Sequence, residues 1–497
     1  MEALVGLVGL GLAAPGVVDV LVRAGLEIEA KIKTYEHIDD TLEKFQKLGV
    51  DMARGDLKSQ LAVITMARRD ERVDRDLVKQ LDECFRAIVK DIIKADKEIK
   101  RVYPSGFLGK IKYVFVDNVK LKSRLDSLET QRTAFLTSAQ YVHIQQNGPP
   151  PTQLSSHEFT VIHETASQVE GTRLPSSDIF VVQAEVKIND MVDPEIQEIV
   201  LEKRLVSKSG LENAGILAQR LRAAQSSEGI LSCLGYRQNP YNLAQCELIF
   251  RLPAVHPRQS LLNCIRETPI PSLTRRVKLC QQLARAISQV HSIGLVHKNI
   301  RPGNVLLVGE VPSQALFLTD WTLVRRVHDP SSRTGTMLGP KSIYQHPDRQ
   351  GEHAEHRYTI AHDIYSLGVC MLEMLIWEPL VTEADDGSSG LSSVIYEQAF
   401  ELGKAQGVPD AELGSSVKVV QRPALIKDTI LDLAEKGLPG LVGDTLAGLV
   451  ADSLHGFEGA FGDGNTNNNS NANLPVNVED GMKYIQKVLL VLNGISI

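Results

Sequence analysis

Cysteine is scarce and scattered in this chain. Cys84, Cys233, Cys246, Cys264, Cys280 and Cys370 form no Cys-x-x-Cys and no Cys/His cluster. That argues against a zinc site and for reduced thiols in a cytoplasmic setting. Aromatic residues are only 5% of the 497, a share that suits helix-rich packing on aliphatic side chains. A strong basic excess is also missing. Net charge is −7, with 24 Lys+Arg against 22 Asp+Glu in residues 1–147 and 30 against 39 in residues 148–497. Neither part carries the electrostatic footprint of a nucleic-acid binder. A membrane-spanning helix needs ~20 apolar residues, whereas the uncharged opening from Ala3 to Val18 has 16, with Pro15 inside it. Glu2 is the only charged side chain before Asp19, which speaks against a secretory signal.

The length predicts about two to four domains. Residues 1–147 show helical apolar periodicity. Leu57, Leu61 and Ile64 make one seam; Leu77, Leu81, Cys84, Ile88 and Ile92 a second; Leu121, Leu125, Leu128 and Phe135 a third. With the opening segment this predicts an up-and-down bundle of four or five helices. Gly6, Gly9, Gly11 and Gly16 interrupt the Leu/Val run of the opening and lower its helicity. Leu4, Val5, Leu7, Val8, Leu10 and Leu12 form its apolar content; they suit a core helix or a segment able to leave the bundle for a bilayer. Between Lys97 and Arg124 lie eight basic residues against Glu98 and Asp117. They read as a solvated face or as an attraction for anionic lipid. Residues 148–175, opening Gly148-Pro149-Pro150-Pro151, read as a linker, semi-rigid at its prolines. Residues 176–497 make the second domain, with an Asn-rich insertion at 463–475.

The most informative stretch is His297-Lys298-Asn299-Ile300-Arg301-Pro302-Gly303-Asn304. Its spacing resembles the protein-kinase catalytic loop His-Arg-Asp-Leu-x-x-x-Asn. Asp320-Trp321-Thr322 stands where a kinase carries Asp-Phe-Gly. Tyr344 to Asp348 stands at Ala-Pro-Glu, and Asp363-Ile364-Tyr365-Ser366-Leu367-Gly368 opens an apolar helix as in the kinase pattern. The resemblance implies an α+β, bilobal kinase-like fold behind an all-α bundle. It also implies structural roles for His297, Asp363 and Gly368, and metal-holding roles for Asn304 and Asp320. In the family the loop aspartate accepts the substrate proton. Here Asn299 replaces it, and an amide oxygen accepts hydrogen bonds without being a useful base near neutral pH. No catalytic residue is therefore expected.

Other departures surround the chemistry. Residues 151–200 hold no Gly-x-Gly-x-x-Gly. Lys203, in Val200-Leu201-Glu202-Lys203, is the candidate phosphate-contacting lysine, with Lys187 its rival. The helix from Glu212 to Ala224 offers Gln219 at its middle in place of a glutamate. Thr322 replaces a glycine, restricting the backbone there, and no arginine follows Arg422. ATP and magnesium remain candidate cofactors as structural ligands. Ser331, Ser332, Thr334 and Thr336 lie in the activation-segment analogue as candidate switch points.

The opening helix, the amphipathic helices behind it and a length near 150 residues resemble the fungal HeLo (prion-inhibition and propagation) domain. His297 to Pro302 matches the kinase-like loop that accompanies such domains. The layout is similar to that of mixed-lineage kinase-like necroptosis executioners. The resemblance implies membrane action by the bundle in regulated cell death or heterokaryon incompatibility. Anionic lipids, self-association and an upstream activating protein would then be partners, and the protein would be cytoplasmic, reaching the plasma membrane on activation. The alternatives are an atypical Ser/Thr kinase and a scaffold that oligomerises through the bundle.

Overall fold

The structure, a computed structural model, describes residues 2–14, 16–33, 40–67, 75–102, separate positions between 121 and 139, 159–161, 171–186, 195–205, 210–224, 229–239, 242, 244–326, 339–350, 358–383, 389–455 and 478–495. Lys187, the switch candidates Ser331, Ser332, Thr334 and Thr336, and the Asn-rich tract 463–475 lie outside these residues. Backbone contacts divide the chain into two compact units, Met1–Pro150 with Gln486–Ile497, and Pro151–Ile485.

The first unit is helical: α1 (Glu2–Leu10), α2 (Val17–Ile32), α3 (Asp40–Arg54), α4 (Asp56–Ala67) and α5 (Arg75–Val102), with further helical positions between 121 and 139. The uncharged opening, expected as one helix, is two. Gly11 and Gly16 take positive φ angles of 55° and 62°, a backbone that glycine adopts without steric cost. They end α1 and start α2. The side chains of α5 then close the exposed end of α1. Arg86 donates to the Val8 carbonyl at 3.2 Å and to that of Gly9, while Asp82 accepts from Leu12 N–H. A cation at a helix C-terminus satisfies carbonyls that have no intrahelical partner. Leu4, Leu7 and Leu12 are buried, Val8 is half-buried, and Val5 and Leu10 are 59% and 54% exposed. Among the described residues no helix is long and apolar enough to cross a membrane.

Where α2 crosses α3, glycine meets glycine. A Cβ on Gly25 would fall 2.5 Å from the Gly49 carbonyl oxygen, and one on Gly49 2.8 Å from Ile28. Three residues of the basic run are paired with carboxylates. Lys100 pairs with Asp96 at 3.0 Å, Arg101 with Glu98 at 2.9 Å and Arg124 with Asp91 at 3.7 Å. Lys97 is exposed, and Lys110, Lys112, Lys120 and Lys122 lie outside the described residues.

The second unit has a sheet-rich lobe followed by a helical lobe, as the kinase-like fold expects. Its main sheet comprises β1 (Phe159–Val161), β2 (Thr172–Arg173), β3 (Phe180–Val186), β4 (Glu195–Leu205), β5 (Cys233–Gln238) and β6 (Gln245–Arg251). The order is β1-β3-β4-β6-β5, with β2 also on β3, and each pair is antiparallel. Thus two strands come from the stretch read as linker. Val182, Ala184, Ile199, Leu201, Leu234 and Ile249 bury one face of this sheet. Helix α6 (Gly210–Ala223) follows β4 and packs on β5.

After β7 (Arg258–Ser260) and α7 (Leu261–Glu267) comes α8 (Leu273–Ser292), capped by Ser272, whose side chain accepts from Arg275 N–H. Gly294, at φ 71°, closes it. The chain then passes through β8 (Leu295–Val296), the loop 297–304, β9 (Val305–Val308), β10 (Ala315–Leu318) and β11 (Arg325–Arg326). Helix α9 (Ile360–Ile376) is buried along most of its length, as an all-round apolar helix must be. Gly368 lets it approach α10 (Asp444–His455): a Cβ there would lie 3.0 Å from Ser453 and 3.2 Å from Leu454.

Candidate functional site

The loop 297–304 is held from below by one buried carboxylate. Asp363, at the start of α9, accepts from His297 N–H at 2.8 Å, Lys298 N–H at 2.9 Å and the Tyr358 hydroxyl at 2.7 Å, and meets His291 Nε2 at 3.0 Å. Burial would raise its pKa, but His291, His297 and the Lys298 N–H together hold it below the ordinary carboxylate range. His297 is wholly buried and packs edge-on against Trp321, with ring centroids 4.9 Å apart. Burial, with Arg325 and Arg349 nearby, lowers Lys298 to about 8.

Above this base, Asn299, Asn304 and Asp320 meet. Asp320 Oδ2 accepts from Asn299 Nδ2 at 2.5 Å and from Asn304 Nδ2 at 3.1 Å. Asn304 Nδ2 also reaches the Asn299 carbonyl at 3.1 Å. Asn299 therefore stands in the site as a hydrogen-bond donor to Asp320, and its Oδ1 accepts from Arg301 Nε at 3.3 Å. The backbone constraint expected at Thr322 falls on Asp320, whose φ is 65°. Asp320 Oδ1 caps the 3-10 turn Trp321–Leu323, accepting from Thr322 N–H, and takes the Thr322 hydroxyl as well. A hydroxyl in place of glycine thus adds a ligand to the carboxylate.

The residue of β4 that meets Asp320 is Glu202. Strand side chains alternate faces, so Glu202 and Arg204 share one face and Lys203 takes the other. Glu202 accepts from Asp320 N–H at 2.7 Å and Trp321 N–H at 2.5 Å, and Arg204 donates to the Trp321 carbonyl at 3.0 Å. Burial first, then the Asp320 charge, raise Glu202 to about 8, so the carboxyl is mainly protonated at neutral pH. Lys203 is exposed, opposes Glu247 across the sheet, makes no ion pair among the described residues, and lines the same cavity as Asp320 and Thr322. Gln219 of α6 is half-buried. No ordinary sequence signal marks Glu202, because the two neighbouring residues differ only by strand parity.

Which groups here fit a cation? Asn304 Oδ1 is buried without a hydrogen-bond partner, and Asp320 adds a carboxylate. Hard oxygens of this kind suit magnesium. For a phosphate, the cavity that Asp320 and Thr322 line also carries Arg173 and Lys203. A separate group, His346, Asp348 and His362, brings three ligand-type side chains together. His362 Nδ1 accepts from Thr359 N–H at 2.8 Å, and Lys427 Nζ lies 3.2 Å from His346 Nε2. With its Nδ1 lone pair in use, His362 keeps a proton on Nε2, and a lysine cation already adjoins His346. This cluster is a capping and packing arrangement.

Residues 223–436 match the family model described as the protein kinase domain. A serine/threonine-protein kinase (drp72) of Corynebacterium efficiens is 30% identical over 159 residues, covering 31% of this chain and 29% of that protein. The eukaryotic translation initiation factor 2-alpha kinase 1 of Rattus norvegicus is 28% identical over 180 residues, covering 32% and 28%. The chain thus spans less than a third of the length of these curated relatives. A solved chain of the CAK complex from Chaetomium thermophilum bound to ATP-gamma-S is similar over 57% of this chain and 83% of that one, at 18% identity and a TM-score of 0.36. Residues 223–436 of the second unit are thus similar to the protein kinase domain, and a helical region precedes them in the chain.

Proposed function

We propose that the kinase-like unit is a non-catalytic regulator and that the helical unit is the effector, acting on anionic membranes. The observation that carries the first half is the trio Asn299, Asp320 and Glu202. The position expected to accept a substrate proton holds an amide that donates to Asp320. The strand position facing Asp320 holds a buried acid. General-base catalysis contributes typically ~10²–10⁴-fold, and the site lacks the carboxylate that would supply it. Asn304 and Asp320 are the residues that would hold magnesium, which would neutralise phosphate charge. ATP with magnesium would serve this unit as a ligand.

The support for the second half is the HeLo-like pattern together with the hold on α1. That helix leaves Val5 and Leu10 exposed, ends at glycines and is fixed by Arg86 and Asp82. A short segment held by Leu4, Leu7 and a few polar contacts is a small unit of the kind that local opening and switching draw on. In this reading a fungal-type cell-death or incompatibility signal shifts the kinase-like unit, with Ser331, Ser332, Thr334 or Thr336 as candidate modification points. The protein then moves from cytoplasm to plasma membrane and self-associates. The test is dye leakage from anionic vesicles by the full-length protein and by a variant lacking residues 1–14. Leakage that needs the opening segment supports the effector role. Equal leakage, or none from any activated form, would leave the bundle as an oligomerising scaffold.

A further inference from the structure

The turn between β2 and β3, Leu174–Ile179, is folded onto the loop that the kinase resemblance assigns to nucleotide chemistry. Its internal bonds make it a fixed shape. Leu174 N–H donates to the Ile179 carbonyl at 3.0 Å, the Ser177 hydroxyl to the Leu174 carbonyl at 2.8 Å, and Ile179 N–H to Ser177 Oγ at 3.2 Å. Ser176 sits at φ 52°, a left-handed backbone that a non-glycine residue adopts only when its surroundings hold it there.

Those surroundings come from three other segments of the same unit. The Ser260 hydroxyl, wholly buried at the start of α7, faces the carbonyls of Pro175 at 2.9 Å and Ser176 at 3.1 Å. Arg266 of α7 donates to Ser176 Oγ at 3.1 Å. Asp178 makes an ion pair with Arg301 of the loop 297–304, whose guanidinium is nearly enclosed. A Cβ placed on Gly303 would lie 3.3 Å from the Ser176 carbonyl oxygen and 3.8 Å from Ser177 Cα. No layer of ligand atoms fits between surfaces this close. What remains is a cavity of about 400 Å³ beside the turn, lined by Arg173, Asp178, Glu202, Lys203, Asp320 and Thr322.

We infer that this turn is the cleft's own occupant: it fills the place of a nucleotide's sugar and phosphates, and any nucleotide competes with it. Asp178 supplies the anion that Arg301 would otherwise find in a phosphate. Ser260 supplies the polar contact on the α7 side. Binding of adenosine nucleotide therefore requires the turn to lift, and observed affinity is reduced by the fraction of molecules in which it has done so. The inference stands on the turn's contacts and does not depend on membrane action by the helical unit.

The test uses the full chain. All six native cysteines are buried, so a pair introduced as Ser177→Cys with Gly303→Cys can be oxidised selectively. Expected is a cross-link under mild oxidant, slowed by a fluorescent ADP with magnesium, and loss of binding of that probe in the linked form. Asp178→Ala, tested separately, is expected to tighten the probe about tenfold relative to wild type, the change that ~1.4 kcal/mol brings. Absence of a cross-link in protein shown folded by its tryptophan fluorescence would overturn the placement of the turn. Equal affinity of the linked and reduced forms, or no gain from Asp178→Ala, would overturn the competition. Phosphotransfer and leakage are read in other assays, so those outcomes are distinguishable from failure of the proposed function.

Discussion

The buried acid facing Asp320 makes the stability of the kinase-like unit depend on pH in a way that can be worked out. Glu202 is raised from an ordinary 4.5 to about 8 in the folded chain. Below pH 4.5 it is protonated in both states and costs nothing. Between the two values the unfolded chain releases the proton while the folded one keeps it, so stability falls as pH rises. Above pH 8 the loss is complete. At about 1.36 kcal/mol per pH unit the whole loss is roughly 5 kcal/mol. Glu373, buried with the Tyr344 hydroxyl 2.7 Å away and also raised to about 8, acts with the same sign. Buried His362, lowered to about 3, acts with the opposite sign below pH ~6.5.

Comparison of wild type with Glu202→Gln removes these other groups from the result. The amide keeps one acceptor for the two N–H groups at 2.7 and 2.5 Å and turns a donor toward the other. At pH 5.5 the variant should be about 1–3 kcal/mol less stable. As pH rises to 8 the wild type should lose up to about 1.4 kcal/mol per pH unit relative to the variant, so the gap closes or reverses. Urea unfolding followed by tryptophan fluorescence reads this unit selectively, because Trp321 and Trp377 are the chain's two tryptophans. Parallel stability-versus-pH curves for the two proteins between pH 5.5 and 8 would refute the reasoning. They would show Glu202 ionised throughout and held by the Asp320 and Trp321 amides.

Three further outcomes are expected. Arg86→Ala removes two charge-assisted bonds to the end of α1, about 1.5–3 kcal/mol each at most; amide exchange in residues 4–12 should quicken and vesicle leakage should rise, and unchanged exchange would clear Arg86 of holding the helix. Gly25→Leu drives a side chain into the Gly49 carbonyl and Ala53, an overpacking that costs typically 1–3 kcal/mol; a helical thermal transition unmoved by the change would show that α2 and α3 do not cross there. The cysteines should resist thiol reagents in the native protein, since burial raises Cys84 and Cys280 to about 12; fast labelling of either before unfolding would contradict the packing.

Much of the second unit was legible because its signals are local and spaced. The loop His297–Asn304, the capped helix after Ser272 and the run from Asp363 to Gly368 each announce themselves within about twenty residues. What escaped depends on parity or on distance along the chain. Glu202 escaped notice because it sits next to Lys203, and adjacent strand residues point to opposite faces. Apolar composition favoured a continuous opening helix, whereas Gly11 and Gly16 adopt angles that divide it. Gly25 and Gly49 carry no mutual signal until two helices cross. The turn at 174–179 straddled an expected linker boundary, and its ties to Ser260 and Arg301 span 85 and 123 positions.

The central claim is that the second unit regulates without transferring phosphate. It is tested most directly by incubating the purified full-length chain with γ-labelled ATP, magnesium and a general protein acceptor, alongside Asp320→Asn. The account predicts that wild type and variant both stay at background. Incorporation by the wild type that Asp320→Asn abolishes would contradict it.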